Sequence, residues 1–414
     1  MENWTKTIDQ IAKDLHSGKK KPTDLNKDYI LKTGKVLSDG ITEGYGKVKY
    51  NTSDIKNIAS LQKNAYLFST YKNVAFQEKI ASYVNDKDGK LRSFFDFKKD
   101  VLKVDKTYNQ TYLQAEYQTA VRSAQATKQW EDIVRRSKRY PNLEYKTVGD
   151  NHVREEHTDL NGQIRPINHS FWNTYYPPNG WRCRCYVVST NNPANGDDVP
   201  AVDKKTVPEV FRHNVGNSKQ AFPLAIHPYS KNLKKLRFSD IHDFVAKKTP
   251  FQKFENFKNG STLMVSPFSD VNDFYPNLFS MIKIAKSEKN SIAEVMHHLM
   301  LGKNPELRFN GIIGDRVESV GFNSVKNTFQ GSKSKYGKNG QLKSFEKSFV
   351  LFDFQDTKLT NNQLEKIARL INGKMQQFKR NKFNFFIINN EVIKVDDTMN
   401  IKEIRTALKV QKTN

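Results

Sequence analysis

Cysteine is nearly missing from this sequence: its 414 residues include two. Both fall in one tripeptide, Cys183-Arg184-Cys185. No disulfide framework can be drawn from them, so an intracellular chain is expected rather than a secreted one. Long apolar runs are missing too. Nothing approaches the roughly 20 residues that cross a bilayer, and Met1-Glu2-Asn3-Trp4 lacks the basic-then-apolar order of a signal peptide. No membrane partner is expected. Neither GxxxxGK[ST] nor GxGxxG occurs, so neither a P-loop ATPase nor a Rossmann enzyme is supported. Acid is in deficit: 68 Lys and Arg face 44 Asp and Glu, a net charge of +24. That balance favours polyanions such as nucleic acid. Its even spread along the chain suits a generally basic surface better than one dedicated groove. The length leaves room for two or three domains.

The unusual residues are gathered between Tyr145 and Val188. Three histidines (His152, His157, His169), two tryptophans (Trp172, Trp181), a Pro-Pro-Asn-Gly turn and both cysteines lie there. Solvated loops seldom carry Trp and Cys. Asn161-Gly162 and Asn179-Gly180 mark tight reversals, because Asn and Gly tolerate positive φ. Phe171-Trp172 and Cys185-Tyr186-Val187-Val188 suit short strands. The expectation over 141–190 is a β-rich knot with polar side chains turned inward.

Zinc takes four nitrogen or sulfur ligands, and His157, His169, Cys183 and Cys185 supply that number. His152 can stand in for His169. Thiolates suit a soft or borderline metal, and a metal can hold a small β unit together. Against a metal, CxC is less common than CxxC, and the two cysteine side chains are expected to point to opposite faces of a strand. In the alternative the cysteines pack as small apolar residues and the histidines cap turns. A Cys–His catalytic pair lacks a third orienting group. Arg154, Arg182 and Arg184 are expected to lock carboxylates such as Glu155, Glu156 or Asp159 rather than bind DNA.

The spacing D-x-x-VR-x-x-H-x-x-L-x-G, then FW, then PPNGW-x-CRC is set here by Asp150, Val153, Arg154, His157, Leu160, Gly162, Phe171, Trp172 and the run Pro177 to Cys185. It resembles the Mu-type phage head morphogenesis domain of minor head proteins. Ala65 to Ser69, Tyr108-Asn109 and Ala115-Glu116-Tyr117 extend the resemblance upstream, to roughly residues 1–235. The resemblance implies a phage or prophage minor head protein acting near the portal. Its partners would be the portal, other head proteins and the packaged DNA. It would reside in the virion head, and in the host cytoplasm during assembly.

Residues 1–140 read as helices. Ile8, Ile11, Ala12 and Leu15 follow one helix face; Thr23-Asp24-Leu25 opens a second helix that Gly40, Gly44 and Gly46 interrupt. A third leads from Asp54 into Phe68, a further segment runs from Val74 to Val84, and Asp86 to Gly89 is a plain turn despite its likeness to a calcium loop. Phe94 to Val104 and Tyr108 to Lys138 complete the region. Its aromatic stripe (Tyr108, Tyr112, Tyr117, Trp130) reads as packing. Residues 191–235 read as a linker and extended arm.

A different, α/β unit is expected over 236–414. A helix from Ile292 to Met300 carries His297-His298 on its surface. Asn310-Gly311 joins a hairpin, and Ser348 to Phe354 is a buried strand. Leu359 to Ile371 is a helix closed by Asn372-Gly373, and Asn389-Asn390 turns one strand into another. This arrangement resembles the tRNA-cleaving toxin domains of contact-dependent inhibition systems, with their PD-(D/E)xK-like core. The resemblance implies that Glu306, after Pro305, and Asp315 hold magnesium or manganese for attack on a phosphodiester. Val317 stands where the family has Lys, so Lys326 or Arg316 would supply the cation. The fold class expected is therefore α+β: a helical N-terminal region with a small His/Cys knot, then a nuclease-like α/β domain. Two functions follow: a head protein with a degenerate nuclease-like domain, or a particle-delivered metal-dependent RNase acting on host tRNA, with the head domain as packaging handle.

Overall fold

The periodic apolar residues near the start lie on one buried face: Ile8, Ile11, Ala12 and Leu15 sit inside helix α1 (Thr5–His16). The computed structural model describes residues 4–48, 53–198, 206–233, 236–331, 334–337, 339–355 and 357–409. They divide into units 1–248 and 249–414. Among the described residues no helix is long and apolar enough to cross a membrane.

In the first unit α2 (Lys27–Tyr45), α3 (Asp54–Ala81), α4 (Phe94–Asp105) and α5 (Leu113–Arg136) follow. Gly40 and Gly44 do not interrupt α2. They sit on the side that meets α5, where a Cβ on Gly44 would stand 2.1 Å from the Val121 carbonyl oxygen. The glycines allow two backbones to approach, which a propensity argument reads as breakage. Likewise α3 is one helix, not two segments. It is buried on nearly every side, so it has no polar face to give it a period. Its polar residues bind the loops around it: Asn64 holds the Phe222 backbone at 2.8 and 2.9 Å, Gln77 donates to Pro22 and Asp24, and Lys72 pairs with buried Glu116. Between α4 and α5 a π-helical segment, Lys106–Tyr112, keeps the chain helical with an altered phase.

After α5 a three-stranded antiparallel sheet forms from β1 (Asn142–Lys146), β2 (Ile164–Pro166) and β3 (Tyr186–Thr190), with β1 in the centre. Two short helices interrupt it, α6 (Glu155–Thr158) and α7 (Phe171–Tyr175). Phe171-Trp172 is thus helical and not a strand: Phe171, Trp172 and Tyr175 are all buried, and the Trp172 indole donates to Pro166 O at 3.0 Å. Beyond the sheet, the segment around α8 (Val215–Ser218) packs on the helices, with Phe222 stacked on Phe68 at 4.1 Å. Helix α9 (Phe238–Lys248) closes this unit.

The second unit is a mixed eight-stranded sheet flanked by helices. In chain order it comprises β4 (Gln252–Asn256), β5 (Thr262–Val265), α10 (Phe274–Ser287), β6 (Ile292–Val295), β7 (Leu307–Phe309), β8 (Ile312–Glu318), α11 (Phe322–Phe329), β9 (Ser348–Asp353), α12 (Asn361–Gln377), β10 (Asn381–Ile388), β11 (Glu391–Asp396) and α13 (Ile401–Lys409). The strand order runs β11-β10-β9-β8-β7-β6-β5-β4. The hairpin at Asn310-Gly311 forms with both residues at positive φ, 46° and 80°. Every residue of β9 is buried. The helix expected over Ile292 to Met300 is instead β6 and a loop, because Ile292–Val295 lies between β5 and β7 in the sheet. Helix α12 runs past Asn372-Gly373 to Gln377, since Met375 joins Ile367, Ala368 and Ile371 in the core against β9 and β10.

Candidate functional site

His157, Cys183 and Cys185 come together. Their ligand atoms all lie within 4.8 Å of one another. His157 Nδ1 is 3.8 Å from Cys183 Sγ and 3.5 Å from Cys185 Sγ. The two thiols, just ahead of β3, do not point to opposite faces but converge, because residues i and i+2 of an extended chain share a face. His157 comes from the single turn of α6, and its Nε2 lies 3.0 Å from the Thr206 carbonyl. An N–H donated there leaves Nδ1 as the lone-pair atom toward the sulfurs. This is how a metal-ligating imidazole is usually oriented.

The geometry fits zinc. Tetrahedral zinc with bonds of about 2.3 Å to sulfur and about 2.0–2.1 Å to nitrogen sets N···S edges of roughly 3.6 Å. A hydrogen bond from Cys185 pulls the Cys183 thiol below its ordinary pKa, assisted by the Asn179 backbone N–H and opposed by burial. The same hydrogen bond and burial push Cys185 up. Buried Tyr145 supports the arrangement from β1, donating to Asn179 Oδ1 at 2.9 Å.

His169 is not part of this group. Its Nδ1 accepts from the Phe171 N–H at 3.1 Å and its Nε2 lies 3.1 Å from Asp197 O, so it caps the start of α7. His152, the substitute, lines the small cavity beside the three ligands, but among the described residues the convergent set is three. Arg184 locks a carboxylate as expected, though that of Asp150, whereas Arg154 holds a backbone carbonyl. Arg184 grips Asp150 with two bonds of 2.5 and 2.7 Å, and Arg154 donates to Trp181 O at 2.6 Å.

In the second unit Asp315, on β8, is fully buried beside Glu306, which precedes β7. Lys335 Nζ meets Asp315 Oδ2 at 2.5 Å. Gln341, with its amide nitrogen turned inward, donates to the same oxygen at 2.6 Å. Burial, then the Asp315 charge, pushes Glu306 up to about 7. Burial also pushes Asp315 up to about 6, against the pull of Lys335. Lys326 is elsewhere: it is exposed on α11. Arg316 is engaged with Asp353 at 2.9 Å. Lys335 escaped the sequence reading because it sits in a loop 20 residues beyond Asp315, with no strand spacing to mark it. His297 and His298 lie in the loop after β6, where His298 Nδ1 is 3.0 Å from Asp270.

The comparisons agree with the knot's pattern. Residues 34–188 match the family described as "Phage Mu protein F like protein". The chain is 35% identical over 71 residues to the "Putative capsid assembly protein F" of Escherichia phage Mu, covering 17% of this chain and 16% of that protein. It is also 35% identical over 77 residues to the "Mu-like prophage FluMu F protein" of Haemophilus influenzae, covering 19% of this chain and 18% of that one. The chain thus spans less than a fifth of the length of these curated relatives. The resemblance to the Mu-type head morphogenesis family holds, over a narrower range than residues 1–235. No solved structure matches.

Proposed function

We propose that the chain acts in head morphogenesis as a minor head protein of a phage or prophage. The observation that carries this is the family match over residues 34–188, which takes in His157, Cys183 and Cys185. Its partners in this reading are other head proteins, the portal among them, and the packaged DNA. Its place is the virion, and the host cytoplasm while heads form. His157, Cys183 and Cys185 would hold zinc, which when bound would tie α6 to the start of β3. The test is mass spectrometry of purified particles, together with electron microscopy of particles made without the protein. Its presence in heads, and defective heads in its absence, are expected. Normal heads that never contain it would overturn the proposal.

A second reading has its own observation, the Glu306–Asp315–Lys335 group. Two carboxyls and a lysine at one sheet position suit metal-dependent phosphodiester chemistry, so the unit would be a particle-delivered RNase. Full-length protein incubated with total tRNA and magnesium or manganese distinguishes the two. Cleavage that Asp315→Ala abolishes supports the RNase. No cleavage by the parent leaves a nuclease-like fold that serves binding or packaging, which is the reading preferred here.

A further inference from the structure

Two open cavities of the first unit meet at one arginine. The larger, of about 1000 Å³, is walled by Tyr108, Tyr112, Trp181 and Tyr229. The smaller, of about 760 Å³, is lined by Arg122, Arg154, Arg182, Arg184 and His152, with Glu43 as its carboxylate. Arg182 lines both. Its φ is 60°, a left-handed conformation that costs a non-glycine residue about 1 kcal/mol or more. Arg154, Arg184 and Arg122 are held by Trp181 O, Asp150 and Gln125. Among the described residues nothing holds the Arg182 guanidinium by hydrogen bond or ion pair.

The larger cavity has a second unmet group. His227 is buried and lines it. Its Nδ1 accepts from the Tyr229 N–H at 3.2 Å, which leaves the ring proton on Nε2, and Nε2 has no partner. Desolvation lowers this ring's pKa to about 4, so it stays neutral. A buried N–H without an acceptor is costly unless something supplies one. Of the carboxylates that line it, Glu116 pairs with Lys72 and accepts from Tyr229.

We propose that the paired cavities bind single-stranded nucleic acid, a base against the tyrosines of the larger and its phosphates against the arginines of the smaller. Aromatic faces accept any base by stacking, and guanidinium groups accept phosphate oxygens. A polymer that alternates a flat ring with an anion matches this alternation of walls better than a polypeptide does. The site stands on the geometry of the first unit and does not depend on the head-protein reading.

The test titrates the full-length protein against a fluorescein-labelled oligodeoxythymidine by anisotropy at several salt concentrations. Tyr112 is 43% exposed, so its replacement leaves the fold intact, which thermal melting checks. Tyr112→Ala is expected to weaken binding on the order of tenfold, with the salt slope unchanged, and Tyr112→Phe to restore it. Arg182→Gln is expected to weaken binding and to lower the salt slope by about 0.7. Parental affinity in both Tyr112→Ala and Arg182→Gln would overturn the proposal in favour of a diffuse basic surface. Absence of binding by the parent would overturn it outright. Poly-glutamate that displaces the oligonucleotide and is itself weakened by Tyr112→Ala would assign the cavities to an acidic polypeptide instead.

Discussion

Two small groups of side chains make predictions at the residue scale. His157, Cys183 and Cys185 have the spacing of zinc ligands, so purified protein is expected to carry about one zinc per chain. In Cys183→Ala/Cys185→Ala that zinc should be lost, with a lower melting temperature, because metal-binding energy contributes directly to folding. Metal analysis of both proteins decides this; equal and negligible zinc would leave the cysteines as packing residues. For Glu306 the sign follows from its raised pKa of about 7. A carboxyl that is harder to ionise in the fold than in the unfolded chain stabilises most below its unfolded pKa of about 4.3. That stability is lost as pH rises through about 7. Urea midpoints of the second unit should therefore fall between pH 5 and about pH 8, and Glu306→Gln should flatten that fall. Cys183, Cys185 and His157 were legible because rare residues in fixed spacing announce themselves. His169 was not, because a histidine that caps a helix looks in sequence like one that binds metal. Lys335 was hidden by sequence distance alone.

At the scale of elements, close approach and burial decide what periodicity misreads. Gly44 faces the Val121 carbonyl, so Gly44→Ala is expected to destabilise the first unit by about 1–3 kcal/mol through overpacking, although alanine is the better helix former. A rise in thermal stability would show that propensity outweighs packing there. Helix α3 contributes Lys72 to a buried pair with Glu116 of α5. Burial lowers the Lys72 pKa and raises that of Glu116, which means each charge is tolerated chiefly because of the other. Lys72→Met should cost about 3–5 kcal/mol, and the double variant Lys72→Met/Glu116→Leu should recover much of it. Chemical denaturation of the three proteins gives the answer. The hairpins at Asn310-Gly311 and Asn389-Asn390 were readable because their turns demand positive φ. The strand β6 was not, since four residues between two other strands take their conformation from their neighbours.

On the scale of the whole molecule, the two units hold cores of different residues: Ile8, Phe76, Phe97 and Val101 belong to one, Phe352, Ile367, Phe386 and Ile404 to the other. Scanning calorimetry is expected to show two transitions, with Lys72→Met lowering one and Phe352→Ala the other. A single transition shifted by both would mean that the units unfold as one. Charge was legible at this scale but not its use: the net +24 says nothing of where an unpaired arginine meets an aromatic wall. That meeting depends on the π-helical segment Lys106–Tyr112. A π turn accommodates one residue more than an α turn, so it absorbs an extra residue between α4 and α5. Deleting a single residue there, Gln110 for instance, lets the helix run on regularly. The flanking helices keep their relative phase, because the extra residue is what the wider turn absorbs, but the residues within the turn are redistributed around the axis. Tyr108, stacked 5.9 Å from Tyr229, and Asn109, which accepts from Tyr29 at 2.7 Å, cannot then both keep their partners. The wall of the cavity is set by one residue more than a regular turn would hold.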